Sequence, residues 1–293
     1  VTSDEFITGT VVMLHSFLQH HKSFRGDLVI IHDGLNSQSR AILEGHFPPL
    51  KFVSGSPVLS ETLDRLVTAN PAMESRRARF LSLEILKLSG YEKVLFCDSD
   101  LLFQGSVADL FASDAELICC GDAAVYRGNA RDPVTFLEVA ASTSNNALQQ
   151  SFNAGFMLLD GKICNDKSYA EIIAMISPDR WRAVKTGHTD QLLYNIYFAG
   201  RQTLVGAQYN YLLGYSEDIV RSFGAKMSDA MVLHYNGSAK PWIPARVLQS
   251  FESRPLLIRS VELWNKAFTD FLNRAHLQKT YADSRRSSED FAL

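Results

Sequence analysis

The segment Val94–Phe103, VLFCDSDLLF, constrains this chain more than any other. Val94, Leu95, Phe96 and Cys97 form an apolar run after the breaker Gly90 and read as a buried strand. That strand delivers two carboxylates, Asp98 and Asp100, to whatever lies at its end, with Ser99 between them. Two aspartates one residue apart, hard against a buried strand, are costly to place without a cation or hydrogen-bond donors around them. Their hard oxygen ligands suit magnesium or manganese. Taken alone, the motif also fits a strand-end turn with two solvated acids, so other segments must decide.

The chain has 293 residues, enough for one large or two modest domains with a sizeable core. Apolar residues make up 46% and charged residues 21%, the balance of an ordinary globular protein. A net charge of -3 gives no electrostatic reason to expect a nucleic-acid partner. The four cysteines, Cys97, Cys119, Cys120 and Cys164, lack CxxC or zinc spacing and read as buried free thiols in a reducing compartment. No apolar run reaches the roughly 18 residues that span a bilayer, and the N-terminal residues carry no signal-peptide pattern. Asn236-Gly237-Ser238 matches a glycosylation acceptor, but without a secretory signal it is read otherwise. The expectation is a cytoplasmic protein, or one at the cytoplasmic face of a membrane.

Taken in order, Val1-Thr2-Ser3-Asp4 reads as the tail of a first strand, and the chain as a piece of a longer one. A helix over 9–20 and a strand over 27–32 follow, then a short helix to Glu44 capped by Asn36 or Ser37. Another strand is expected over 50–53, and residues 54–75 look mixed and loop-rich. The cluster Arg76, Arg77 and Arg79 opens a helix that stops at Gly90 and feeds the central strand. Further strands are expected over 116–120, 152–160, 203–205 and 231–235. Helices are expected over 127–150, from Asp166 as cap to Ile176, and over 190–199. The strand–helix rhythm points to an open α/β sheet, mainly parallel and flanked by helices, with ligands gathered at the carboxyl ends of its strands.

Five motifs fall in one order: RARF, FCDSD, FNAGFMLLD, HTDQLLYN and LHYNGSAKPW. Together they resemble the retaining glycosyltransferase family eight, the group of glycogenin and the bacterial lipopolysaccharide galactosyl- and glucosyltransferases. The last carries the family's His-x-x-Gly-x-x-Lys-Pro-Trp pattern in full, over His234–Trp242. The resemblance covers residues 1–245 and implies a GT-A nucleotide-diphospho-sugar transferase fold, leaving 246–293 as a helical C-terminal extension. It implies UDP-hexose as donor, Mn2+ or Mg2+ as cofactor, and a saccharide or lipid-linked glycan as acceptor.

Residue by residue, the resemblance makes Asp98, Asp100 and His234 the metal ligands, a sound set for manganese. Gly237 and Lys240 match the loop that closes on the diphosphate, and Arg79 the arginine near sugar and diphosphate. Thr2, Ser3 and Asp4 match the segment holding uracil and ribose, and Ser99 and Gly155 join the donor site. Asn153 faces the sugar, and Asp190 with Gln191 stands beside the reacting carbon. Since an amide is a poor nucleophile, Gln191 is expected to stabilise charge rather than form a covalent intermediate. Asn210 fits a family position and equally fits a buried brace, while the tyrosines around it (Tyr209, Tyr211, Tyr215) read first as core.

Two other readings stand beside hexosyl transfer: nucleotidyl transfer on a similar acidic metal site, and a UDP-sugar-binding scaffold that has lost catalysis. Against the first, no glycine-rich basic opening loop is visible; against the second, all of Asp98, Asp100, His234 and Lys240 are present. After Trp242 the chain holds eight Arg and Lys against six Asp and Glu, interleaved with Trp264, Phe268 and Phe271. That stretch reads either as a helix packing back on the catalytic domain or as an amphipathic peripheral membrane contact.

Overall fold

The structure, a computed structural model, describes residues 1–128, 151–182, 184, 189–252, 254 and 256–290, with side chains in the last helix described to residue 277. The helix expected over 127–150 falls mostly outside the described residues.

Helix α1 (Ile7–His20) buries Val11, Val12, Leu14 and Phe17 and leads to strand β1 (Leu28–His32). Helix α2 (Ser37–His46) is capped by Asn36, whose side-chain oxygen accepts from the Ser39 N–H. Strand β2 (Leu50–Ser54) then pairs parallel with β1. The stretch expected to be loop-rich instead forms helix α3, Pro57–Ala69. Its signal is local: Ser56 caps the Leu59 N–H, Pro57 occupies the first turn, and Leu59, Leu63 and Leu66 fall on one buried face. Pro71–Lys87 winds as a 3-10 helix and carries the arginine cluster and the buried Phe80, Leu83 and Leu86 into strand β3 (Lys93–Cys97).

Strand β4 (Leu101–Phe103) follows the acid pair directly. Strand β5 (Leu117–Gly121) ends at Asp122, the cap of the short helix α4 (Ala123–Arg127). Strand β6 spans Phe152–Asp160, and helix α5 (Asp166–Ala174) is capped by Asn165 rather than by the expected Asp166. Helix α6 (Thr189–Tyr197) leads to strands β7 (Gln202–Val205), β8 (Tyr211–Leu212) and β9 (Val232–His234). Helix α7 (Leu256–Asp290) closes the described chain.

The expectation of a mainly parallel sheet needs correction. Among the described residues the strands form a β1–β2 pair, a four-stranded β3-β6-β5-β7 sheet and a three-stranded β4-β9-β8 sheet. β6 lies antiparallel between β3 and β5, and β9 runs antiparallel to β4, whereas β5–β7, β8–β9 and β1–β2 are parallel. The pattern is mixed because β6 enters the sheet from the side where β3 and β5 end. Apolar runs such as Phe156–Leu159 read alike in either direction, since both faces are covered. An apolar cavity of about 180 Å³ lies between β1, β3 and α1, lined by Leu14, Phe17, Ile30, Ile31 and Phe96. Beside it Thr2 bridges His32 in parallel, and the Ser99 hydroxyl donates to the Val1 carbonyl at 2.5 Å.

Trp264, Phe268 and Phe271 of α7 are spent on internal packing. Trp264 lies 5.8 Å from the Trp242 ring, and Phe271 stacks on Phe47 and meets the His15 ring edge-on. Among the described residues no helix is long and apolar enough to cross a membrane. All four cysteines are free, with Cys119, Cys120 and Cys164 buried and Cys97 half-buried.

One buried polar knot ties α3, the 3-10 helix and α5 together. The Ser56 N–H and the Tyr169 hydroxyl donate to Glu84 Oε1 at 2.8 and 2.7 Å, and Lys87 Nζ lies 3.9 Å from Oε2. Glu84 is almost fully buried, so each donor offsets part of the cost of desolvating its carboxylate. Tyr169→Phe is therefore expected to destabilise the protein by about 1–3 kcal/mol, read as a lower urea midpoint at unchanged slope.

Candidate functional site

The site lies where β3, β5 and β6 meet the loop after β9. The register places it there. Cys97 pairs with Phe156, and the Asp98 N–H continues the ladder by donating to the Gly155 carbonyl at 2.8 Å. On the other side of the acid pair, Leu101 of β4 pairs with His234 of β9, and the Tyr235 N–H donates to the Asp100 carbonyl at 3.0 Å. Two ladders thus hold the three expected metal-ligating residues at one point. Asp98, Asp100 and His234 offer ligand atoms that all lie within 4.8 Å of one another. His234 Nε2 is 3.3 Å from Asp100 Oδ1 and 3.9 Å from Asp98 Oδ2.

The donor set fits a divalent metal. Two carboxylates and an imidazole are the ligand types manganese takes. The other ring nitrogen of His234, Nδ1, is 2.9 Å from Asn210 Oδ1. An amide oxygen can only accept, so the proton sits on Nδ1 and Nε2 is turned to the acids, the outer-shell arrangement common to metal-binding histidines.

The two acids differ in their surroundings. Asp98 is raised to about 6 by burial among the cleft walls and by the neighbouring Asp100 charge, although 42% of its side chain is exposed to the cleft. Burial also works against ionisation of Asp100, but the Lys240 charge beside it, with its hydrogen bond, outweighs that and holds the carboxyl well below the usual range. Lys240 Nζ sits on Asp100 Oδ2 and also donates to the Tyr235 carbonyl at 2.8 Å. The loop expected to close on a diphosphate is therefore at the site, with its ammonium engaged by Asp100. Gly237 of the same loop has φ +94°, a left-handed backbone that favours glycine.

A cleft of about 640 Å³ opens over this cluster, within the range of small-molecule sites. Of the residues expected from the sequence, Thr2, Ser3, Arg79, Ser99, Asn153, Gly155, Asp190, Gln191, Gly237 and Lys240 all line it with the three metal-site residues. Asp4 does not: it is exposed, accepts from the Asn36 N–H at 3.2 Å, and is held below its usual range chiefly by the Ser39 side chain. Thr2 and Ser99 line the cleft with their hydroxyls already engaged within the protein. Thr2 meets Thr10 at 2.6 Å, and Ser99 accepts from Thr10 at 2.9 Å. Asp190 is raised by burial and held by the Ser82 hydroxyl at 2.8 Å and the Thr189 hydroxyl at 3.2 Å.

Ser82 and Asp122 also line the cleft, and sequence reasoning missed both as site residues. Ser82 lies three residues after Arg79 in the same 3-10 helix, one turn on, a spacing that places the two side by side. Asp122 ends β5, and the rule that ligands gather at strand carboxyl ends would have found it. Asn210 is the brace that its alternative reading allowed, fully buried against His234. Tyr211 is core, and Tyr215 alone of the three tyrosines lines the cleft.

This architecture, a mixed sheet flanked by helices with a long C-terminal helix, is the GT-A fold. The galactosyltransferase LgtC, solved with donor and acceptor sugar analogues, superposes with a TM-score of 0.66 at 18% identity, covering 91% of this chain and 98% of that one. The glycosyltransferase GlyE of Streptococcus pneumoniae superposes with a TM-score of 0.55 at 17% identity, over 93% of this chain and 61% of that one. Among curated sequences, the glycosyltransferase GlyF of Streptococcus pneumoniae serotype 4 is 24% identical over 169 residues, which is 56% of this chain and 36% of GlyF. GlyE from the same strain is 26% identical over 157 residues, 52% of this chain and 34% of GlyE. The chain thus spans about a third of the length of these two curated relatives. The pattern of glycosyl transferase family 8 matches residues 1–244, and the chain belongs to that family.

Gly155 tests the geometry directly. A Cβ there would lie 2.4 Å from His234 Cε1 and 2.6 Å from Asp98 Oδ2, so any side chain pushes apart two members of the cluster. Gly155→Ala is expected to weaken Mn2+ binding by about 10–100-fold, measured by titration of the metal alone, while the circular dichroism spectrum keeps its shape.

Proposed function

We propose that this glycosyltransferase moves a hexose, galactose or glucose, from UDP-hexose to a saccharide acceptor with retained anomeric configuration, using Mn2+ or Mg2+. The observation carrying this reading is the convergence of Asp98, Asp100 and His234, three side chains distant in sequence, on one point of the cleft. Two acids this close repel when both are ionised, and a cation between them relieves that repulsion. A divalent ion held by them supplies Lewis-acid charge to the leaving diphosphate.

The remaining roles follow from what each side chain is free to do. Lys240 keeps Asp100 ionised and brings positive charge to the diphosphate end of the site. Gly237 lets the loop backbone approach phosphate closely, and Arg79 adds a further cation at the cleft wall. Asp190, buttressed by Ser82 and Thr189, presents a carboxyl suited to binding sugar hydroxyls. Gln191 Oε1 accepts from Asn153 Nδ2 at 2.9 Å and from the Ala154 N–H at 3.4 Å. An amide oxygen so engaged is a poor nucleophile, which favours electrostatic stabilisation of positive charge at the anomeric carbon. The acceptor hydroxyl then attacks on the face from which UDP departs. A new C–O bond forms as the sugar–phosphate bond breaks, and the hydroxyl proton passes to a phosphate oxygen of UDP.

Incubation with UDP-galactose, UDP-glucose and UDP-N-acetylglucosamine in the presence of Mn2+ is expected to release UDP from at least one hexose donor. Asp100→Asn is expected to reduce that release by about two orders of magnitude or more, since several kcal/mol of charge stabilisation at the leaving group is removed. Pyrophosphate release, or no turnover with any UDP-sugar, would overturn the proposal.

A further inference from the structure

Five side chains from five separate segments form one line of hydrogen bonds across the cleft floor, and every link has the same sense. His234 Nδ1–H donates to Asn210 Oδ1 at 2.9 Å, and Asn210 Nδ2 donates to Asn153 Oδ1 at 2.9 Å. Asn153 Nδ2 donates to Gln191 Oε1 at 2.9 Å, and Gln191 Nε2 donates to Asp122 Oδ2 at 3.4 Å. A primary amide can in principle be turned over, so this sense has to be enforced. Two backbone donors enforce it in the middle. The Gly155 N–H points at Asn153 Oδ1 at 3.0 Å, and the Ala154 N–H at Gln191 Oε1 at 3.4 Å. At the end stands Asp122, a carboxylate that accepts only. Its other oxygen, Oδ1, accepts from the Ser151 hydroxyl at 2.7 Å and from the Ala124 and Val125 N–H groups at 2.9 and 3.3 Å, which fixes the carboxylate plane.

We propose that Asp122 is a positioning residue of the transfer reaction: it sets the amide sense of Gln191 and, through Asn153 and Asn210, keeps the His234 proton on Nδ1. The lone pair of His234 Nε2 is thereby directed at the point shared with Asp98 and Asp100. The acids and the histidine come from the two strand ladders, but which histidine nitrogen carries the proton is decided at the far end of the chain of amides. The inference rests on the reading of Asp98, Asp100 and His234 as a cation site.

Asp122→Asn isolates the effect. The substituted amide keeps an oxygen for the Ser151, Ala124 and Val125 donors, so the cap of α4 survives. Its NH2, however, faces Gln191 Nε2 donor to donor. Turning Gln191 over to relieve this sets its NH2 against the Ala154 N–H, and turning Asn153 as well meets the Gly155 N–H. No arrangement satisfies every donor, and the strain ends on His234.

Mn2+ binding, followed by electron paramagnetic resonance with the metal alone, is the readout. D122N is expected to bind Mn2+ about tenfold or more weakly, the scale of outer-shell changes at metal sites. N210A, which cuts the line next to His234, is expected to show a similar loss and serves independently should D122N not fold. In the N210A background D122N is expected to add almost nothing, because the route is already broken. Equal Mn2+ affinity of D122N and the unsubstituted protein overturns the proposal, as does full additivity of the two substitutions. If the unsubstituted protein takes up no Mn2+, the cation reading itself fails, and this inference falls with it.

Discussion

The site depends on the pairing of β4 with β9. Asp98 and Asp100 sit at the end of a buried strand, where two like charges repel and neither is freely hydrated. Antiparallel pairing of Leu101 with His234 sets an imidazole against them, and the same turn of chain returns Lys240 to Asp100. A register slip of one residue would send His234 to the opposite face of its strand. Such a slip is opposed by Leu102, Leu233 and Val232, which are buried in the same sheet. Packing of the small sheet and assembly of the acid–imidazole cluster are therefore one event.

Around that cluster the protein divides charge unequally. Lys240 holds Asp100 ionised, whereas Asp98 is left with burial and a like-charged neighbour and is pushed up to about 6. Asp190, across the cleft, is also raised, with two hydroxyls standing in for part of its lost hydration. Of Asp98, Asp100 and Asp190, one is thus already neutralised by a partner and two have their ionisation disfavoured without one. A ligand bringing a cation or sugar hydroxyls meets groups whose desolvation was settled during folding, the preorganisation that makes electrostatic catalysis effective.

Much of the chemistry was legible because it is local. FCDSD announced a strand followed by acids, and FNAGFMLLD corresponds residue for residue to β6, Phe152–Asp160. His234, Gly237 and Lys240 of the closing HYNGSAKPW element, which carry the family pattern, line the cleft. Where the reading slipped, the cause was local too. Residues 57–69 looked irregular because Ser56-Pro57 reads as a break, yet that pair starts helix α3. The family resemblance grouped Asp4 with Thr2 and Ser3 as a donor-site segment, but Asp4 accepts from the Asn36 N–H and does not line the cleft.

The sequence by itself determined the inventory: an acid pair at a strand end, a histidine–glycine–lysine loop, an α/β alternation and enough apolar residues for the core. Periodicity and motif spacing carry that information because each is fixed by neighbours along the chain. Only the tertiary structure decided strand direction, since an apolar strand buried on both faces reads the same whichever way it runs. It alone joined His234 to Asp122 through Asn210, Asn153 and Gln191, residues 24 to 69 positions apart at successive links. Hydrogen-bond sense across such distances is set by which backbone donors the fold brings alongside, and no one-dimensional pattern records it.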